Sequence, residues 1–263
     1  MLLRVRHETH YQYSPAVETA QHQVHLRPLQ TLAWQQLLEH QLEVWPRPDQ
    51  YSPGHDNWGN ARDFFALYQN HETLHVVADS LLLTRAPEPP HELSEESWES
   101  VRERYRYQSM SVVDEAIQFI FPSPYIGTSD ALRDYAQASF VRGRSLIAGA
   151  QSLMSRIHQE FLYESQSTTV NTPLSQVLAQ RKGVCQDFAH LMIACLRSLG
   201  LPARYVSGYL LTRPPPGQPR LIGSDASHAW VQVYVPPPPS SRPKHSARSE
   251  DAAGCWLDFD QIT

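Results

Sequence analysis

Residues 181–200 read RKGVCQDFAHLMIACLRSLG, and their punctuation and periodicity decide how the second half of the chain is read. Phe188, Met192, Cys195, Leu196 and Leu199 fall at i, i+4, i+7, i+8 and i+11, one apolar stripe of a helix that Gly200 and Pro202 bring to a stop. Cys185 lies at i−3 on the same stripe, two residues after Gly183, where the helix begins. Its thiol therefore sits at the end where backbone N–H groups lack intrahelical acceptors and the macrodipole is positive, which is where a thiolate is stabilised. Cys195 lies on the same stripe about 15 Å further along, at 1.5 Å per residue. It reads as packing.

Working outward, the residues upstream carry helical spacing in DALRDYAQASF and SLIAGAQSLMSRIHQEFLY. NTPLSQVLAQRKG predicts a helix with Thr172 as N-cap, Pro173 at the first helical position and Gly183 just past the end. Downstream, ARYVSGYLL, HAWVQVYV and CWLDFD read as strands, so a helix laid on an antiparallel sheet is expected: an α+β domain. On the middle strand His228, Trp230, Gln232 and Tyr234 share one face. A histidine at the start of that strand is placed to reach the helix end, and imidazole is the usual partner of a catalytic thiol. A carboxylate would orient it. Asp258 and Asp260 share a face with Trp256, so alternation leaves both open.

From residue 1 to about 88 the period is two. His7, Thr9, Tyr11 and Tyr13 alternate with Glu8, His10 and Gln12, QHQVHLRPL and LEHQLEVWP read as further strands, and DNWGN reads as a tight turn with positive φ at Gly59 and Asn60. An antiparallel β-sandwich is expected over 1–88, then a proline-rich acidic linker with a polar helix over 89–125, then the helix-and-sheet domain over 126–263. RPPPGQPR and PPPPSSRPKHSARSEDAAG read as proline-rich loops on either side of the His228 strand.

The 263 residues carry a net charge of −5, with Lys and Arg scattered, which argues against a nucleic-acid partner. The start has no apolar segment followed by a cleavage site, and no run of 18 apolar residues follows, so an unsecreted, cytoplasmic protein without a membrane partner is expected. Three cysteines without a CxxC pair fit neither a disulfide framework nor a zinc ribbon. HETH lacks the i, i+4 spacing of a helical zinc pair, and His190 lies about 140° round the helix from Cys185. No cofactor or metal is expected.

At these residues the chain resembles the bacterial transglutaminase-like proteins of the papain-like cysteine-enzyme superfamily. The resemblance is carried by GVCQDFAHLMIACLRSLGLPARYVSGYL, by SHAWVQVY, by a tryptophan followed four residues later by an aspartate, and in the first half by HETHYQYSPAV, LRP and DNWGN. It implies a papain-like core behind an N-terminal β-sandwich, with Cys185 as nucleophile, His228 as general base, Asp260 as the orienting residue ahead of Asp258, and the Cys185 N–H as oxyanion donor. It also implies acyl transfer at the amide bond of a peptide or protein, with hydrolysis expected, amine-accepting transglutamination the alternative, and a catalytically weak binding scaffold the reading from another class. The family pattern continues past that aspartate with Pro, Thr and Asn, whereas this chain reads DQIT, at an end where fraying is expected.

Overall fold

A computed structural model describes residues 1–86, 93–106, 114–165, 167–169, 171–211, 227–238 and 254–262. RPPPGQPR and most of PPPPSSRPKHSARSEDAAG lie outside the described residues. The chain packs as two units, Met1–Pro89 and Pro90–Thr263.

The first unit is built from β1 (Leu2–Val17), β2 (Ala20–Val24), β3 (Thr31–Leu32), β4 (Gln35–Trp45), β5 (Gln50–His55), β6 (Ala61–Leu67) and β7 (His71–Thr84). They form two antiparallel sheets, ordered β1-β7-β4-β3 and β2-β6-β5. Period-two patterning does the work: His7 and Thr9 are half-buried while Glu8 and His10 are exposed. Phe65 and Leu67 of one sheet meet Leu74 and Val76 of the other in a shared core, the sandwich arrangement. The turn between β5 and β6 differs from expectation, because only Gly59 has positive φ, at 82°. Asp56 supplies what a second such residue would have done: its Oδ1 accepts from the N–H groups of Trp58 and Asn60, both at 2.9 Å.

The second unit contains α1 (Trp98–Arg104), a 3₁₀ turn (Glu115–Ile120), α2 (Asp130–Gln137), α3 (Leu146–Glu160), β8 (Leu162–Tyr163), α4 (Leu174–Gln180), β9 (Lys182–Gly183), α5 (Cys185–Ser198), β10 (Ala203–Tyr209), β11 (Ser227–Val235) and β12 (Cys255–Phe259). Serines 97, 129 and 145 cap α1, α2 and α3, each Oγ accepting the N–H three residues on. Trp98, Val101, Tyr105 and Ala116, all from the stretch expected as linker and polar helix, are buried in this unit's core.

Two details of the expected helix over NTPLSQVLAQRKG are corrected. The helix starts one residue later, with Pro173 rather than Thr172 at the N-cap, and it ends at Arg181, which adopts the left-handed conformation at φ 55°. Gly183 is not its cap. It belongs to β9, paired in parallel with β8.

Helix α5 forms the centre of the unit. Phe188, Leu191, Met192, Ile193, Ala194, Cys195 and Leu196 are all buried, so the helix is enclosed all round rather than along one stripe. Helices pack on one side of it and the antiparallel sheet β10-β11-β12 on another. Gly200, at φ 77°, turns the chain out of α5, and Leu201 N–H returns to Leu196 C=O at 3.0 Å, as in a Schellman ending. Among the described residues no helix is long and apolar enough to cross a membrane.

Candidate active site

The start of α5 is held by a carboxylate. Val184 occupies the N-cap without a side-chain acceptor, and Asp187, buried in the first turn, reaches back to accept the Val184 N–H at 2.8 Å and the Thr168 hydroxyl. By helix geometry the N–H groups of Cys185 and Gln186 have no intrahelical acceptor. The glycine two residues before the cysteine follows from the same arrangement: a Cβ on Gly183 would stand 2.8 Å from both Cβ and Oδ2 of Asp187.

All three thiols are free. Cys185 is half-buried against the core. Cys195 is fully buried, and burial pushes its thiol up to about 12. Cys255 is half-buried and also raised by burial.

His228 is buried at the beginning of β11, and its Nε2–H donates to Asp260 Oδ2 at 2.7 Å. The second carboxylate oxygen of Asp260 accepts the Ile262 N–H at 3.0 Å, so both oxygens are engaged. With Nε2 directed at Asp260, Nδ1 is the ring nitrogen left to exchange a proton with another group. β11 and β10 both pack on α5, which brings the strand of His228 against the helix that starts at Cys185. Among the described residues no hydrogen bond joins Cys185 to His228. Tyr205 of β10 belongs to the same neighbourhood. Its phenol is pushed up to about 12 by burial and then by the adjacent Cys185 and Asp187.

Asp258, which strand alternation leaves equivalent to Asp260, is placed differently. Its Oδ1 accepts from Trp230 Nε1–H at 2.7 Å and from Gln232 Nε2–H at 2.8 Å, so it serves the middle of β11 and not the histidine. Gln261 and Ile262 are tied down where fraying is expected. Gln261 is buried, its amide donates to Phe259 C=O at 2.9 Å and to the Met192 sulfur of α5, and its own C=O is bonded by His158 Nδ1 at 3.0 Å. His190 is packing: it lies against Tyr125 and Tyr205 at centroid distances of 6.0 and 5.1 Å. His10 stacks on His75 at 4.3 Å across β1 and β7.

Asp187 and Gln261 escape the sequence reading. An acidic residue in the first helical turn is a signal for the first; nothing but fold context reveals the second. A cleft of 580 Å³ opens at the opposite end of α5, beside Arg133, Arg197 and Leu199, and includes none of Cys185, His228 and Asp260.

Residues 133–260 match the Transglutaminase-like superfamily, and residues 3–82 match the Bacterial transglutaminase-like N-terminal region. An uncharacterized protein of Mycobacterium tuberculosis is 40% identical over 239 residues, covering 90% of this chain and 74% of that protein. A protein-glutamine gamma-glutamyltransferase of Pseudomonas aeruginosa is 31% identical over 101 residues, covering 35% of this chain and 15% of the enzyme. Among solved structures, one from Cytophaga hutchinsonii that is provisionally named a cysteine protease superposes with a TM-score of 0.68 at 22% identity, covering 99% of this chain and 78% of that one. The two family matches together span the sandwich and the helix-and-sheet unit, and the chain belongs to the transglutaminase-like superfamily, with the bacterial transglutaminase-like N-terminal region ahead of its core.

Proposed function

We propose that this protein is a cysteine-dependent enzyme that cleaves the amide bond of a peptide or protein. The observation that carries the reading is the His228 Nε2 to Asp260 Oδ2 bond of 2.7 Å, on a sheet packed against the helix that opens with Cys185. An exposed surface histidine needs no such carboxylate, whereas a base that must become an imidazolium during turnover does.

In this reading His228 Nδ1 takes the proton of the Cys185 thiol, and the thiolate attacks the carbonyl carbon. The oxygen that gains charge is met by N–H groups at the start of α5. The C–N bond breaks as the imidazolium gives its proton to the departing amine, leaving a thioester on Cys185. Water then attacks, delivering its proton to His228, and the carboxylic acid and free thiol are restored. Asp260 holds the ring throughout and steadies its charged form.

The second reading is transfer of the acyl group to a primary amine instead of water. It is favoured by the name of the Pseudomonas aeruginosa relative, whose match spans 35% of this chain. Mass spectrometry of peptides incubated with and without a primary amine separates the two: new carboxylates mean hydrolysis, and amine-sized mass gains mean transfer. A Cys185→Ala variant with full activity on any amide sinks both readings. No product from any peptide, together with no preference of iodoacetamide for Cys185, leaves the binding scaffold.

A further inference from the structure

The aspartate that does not serve the histidine has its own employment on the same face of the sheet. Asp258 Oδ1 fixes the indole N–H of Trp230 at 2.7 Å, and the Trp230 ring lies against the His228 ring at 6.0 Å with an interplanar angle of 23°. The indole also fills the space opposite His228 on the neighbouring strand. Gly208 is the cross-strand partner of His228, and a Cβ there would come within 2.7 Å of Trp230 Cη2. Cross-strand partners share a face, so the position beside the imidazole that a side chain of residue 208 would take is occupied by the indole instead. The ring of His228 is therefore bounded by two restraints, the Asp260 carboxylate at Nε2 and the indole at its face.

We infer that Trp230, held by Asp258 and given room by Gly208, is a positioning residue for His228. A hydrogen bond through one nitrogen leaves an imidazole free to pivot about that bond, and an aromatic wall removes the pivot. The inference rests on the proposed role of His228 as the partner of the Cys185 thiol. It assigns separate tasks to the two aspartates: Asp260 sets which nitrogen carries the proton, and Asp258 sets, through the indole, where the other nitrogen points.

The test is the rate at which iodoacetamide alkylates Cys185 across pH 5 to 9, read by mass spectrometry on the full chain. In the native protein a His228–Cys185 ion pair gives a reactive arm below pH 7, and ordinary thiolate formation gives the arm near pH 9. Trp230→Ala is expected to lower the acid arm by up to about a hundredfold, the loss that a misplacement of about 1 Å can cause. Asp258→Ala, on an exposed residue, is expected to lower it several-fold, Trp230→Phe, which keeps an aromatic ring but loses the N–H bond to Asp258, to lower it as far as Asp258→Ala does and less than Trp230→Ala, and all three to leave the alkaline arm unchanged. Gly208→Ala should lower the acid arm by pushing the indole aside, and should add nothing in combination with Trp230→Ala. An acid arm present in the native protein and unchanged in Asp258→Ala and Gly208→Ala overturns the inference while leaving the proposed function standing, even where Trp230→Ala does not fold. A native protein without an acid arm overturns both.

Discussion

Gly183 and Asp187 compete for one volume: a methyl group on the glycine would stand 2.8 Å from the aspartate's Cβ and Oδ2, closer than such atoms approach. The aspartate occupies it because its carboxylate folds back over the chain to cap the N–H of Val184 at 2.8 Å, one residue ahead of Cys185. Gly183→Ala is therefore expected to dislodge Asp187, strip the cap and shift the first turn of α5. The stability loss should be about 1–3 kcal/mol, the range for a buried hydrogen-bonding group left unpaired. Urea unfolding measures it, and Cys185 alkylation should slow in the same variant. A Gly183→Ala protein of native stability would mean that the carboxylate has another resting place.

The three thiols provide an internal comparison. Cys195, its thiol pushed up to about 12 by burial, stays protonated at pH 8 and has no solvent access, so it should remain unmodified by iodoacetamide until the protein unfolds. Cys255, raised by burial, should lag behind Cys185 at every pH. Cys195→Ser should leave reactivity at Cys185 intact and cost stability by about 1–3 kcal/mol, because a hydroxyl replaces a sulfur where no water reaches. Peptide mapping of the alkylated native chain distinguishes all three. Preferential labelling of Cys255 would remove the case for a nucleophile at the helix start.

Much of this arrangement is legible in the sequence because it depends on short-range rules. Helix α5 announces itself by spacing and by Gly200, and strand alternation alone places His228 with Trp230 on one face of their strand and Asp258 with Asp260 on one face of theirs. The limits are equally physical. Alternation gives faces and not partners, so Asp258 and Asp260 stay equivalent until the register of β11 and β12 and the side-chain bonds separate them. The meaning of Gly183 depends on a contact made four residues later, which makes it look like the end of the preceding helix. The enclosure of α5 is written in its composition: Leu191, Ile193 and Ala194 lie outside the stripe of Phe188, Met192, Cys195, Leu196 and Leu199 and are apolar too.

Gln261 should prove as important to Asp260 as any residue that touches it. The segment after β12 is anchored by the Gln261 amide on Phe259 C=O and the Met192 sulfur, and by His158 on the Gln261 C=O, while Asp260 Oδ1 takes the next N–H, that of Ile262. Asp260→Ala is expected to reduce kcat/KM about 10²- to 10⁴-fold on any amide substrate found, as when the carboxylate that orients a catalytic histidine is lost. Gln261→Ala removes no group from His228 yet should reproduce part of that loss by releasing the segment. Its sign is a pH profile that shifts with that of Asp260→Ala. A Gln261→Ala enzyme with native kinetics but a lowered melting temperature would confine the residue to stability.

Acid should loosen the N-terminal sandwich before it reaches the pH of carboxylate protonation. Burial lowers the pKa of His7, His22 and His40, with His71 reinforcing the shift at His22 and Arg27 at His40, where Asp63 and Asp79 oppose it. Nε2 of His22 and of His40 is buried without a hydrogen-bond partner, so a proton arriving there has no acceptor to meet. The sign follows: folded pKa values below the ordinary histidine value of about 6.5 mean that the unfolded chain binds protons first. Their contribution to stability is complete above about pH 6.5 and is lost as pH falls through the depressed folded values. Thermal unfolding of the full chain between pH 7.5 and 5 should show a falling melting temperature. His22→Phe, which keeps the ring contact with Phe65 at 5.0 Å, should flatten that slope. An unchanged slope in His22→Phe would assign the acid sensitivity to His7 and His40.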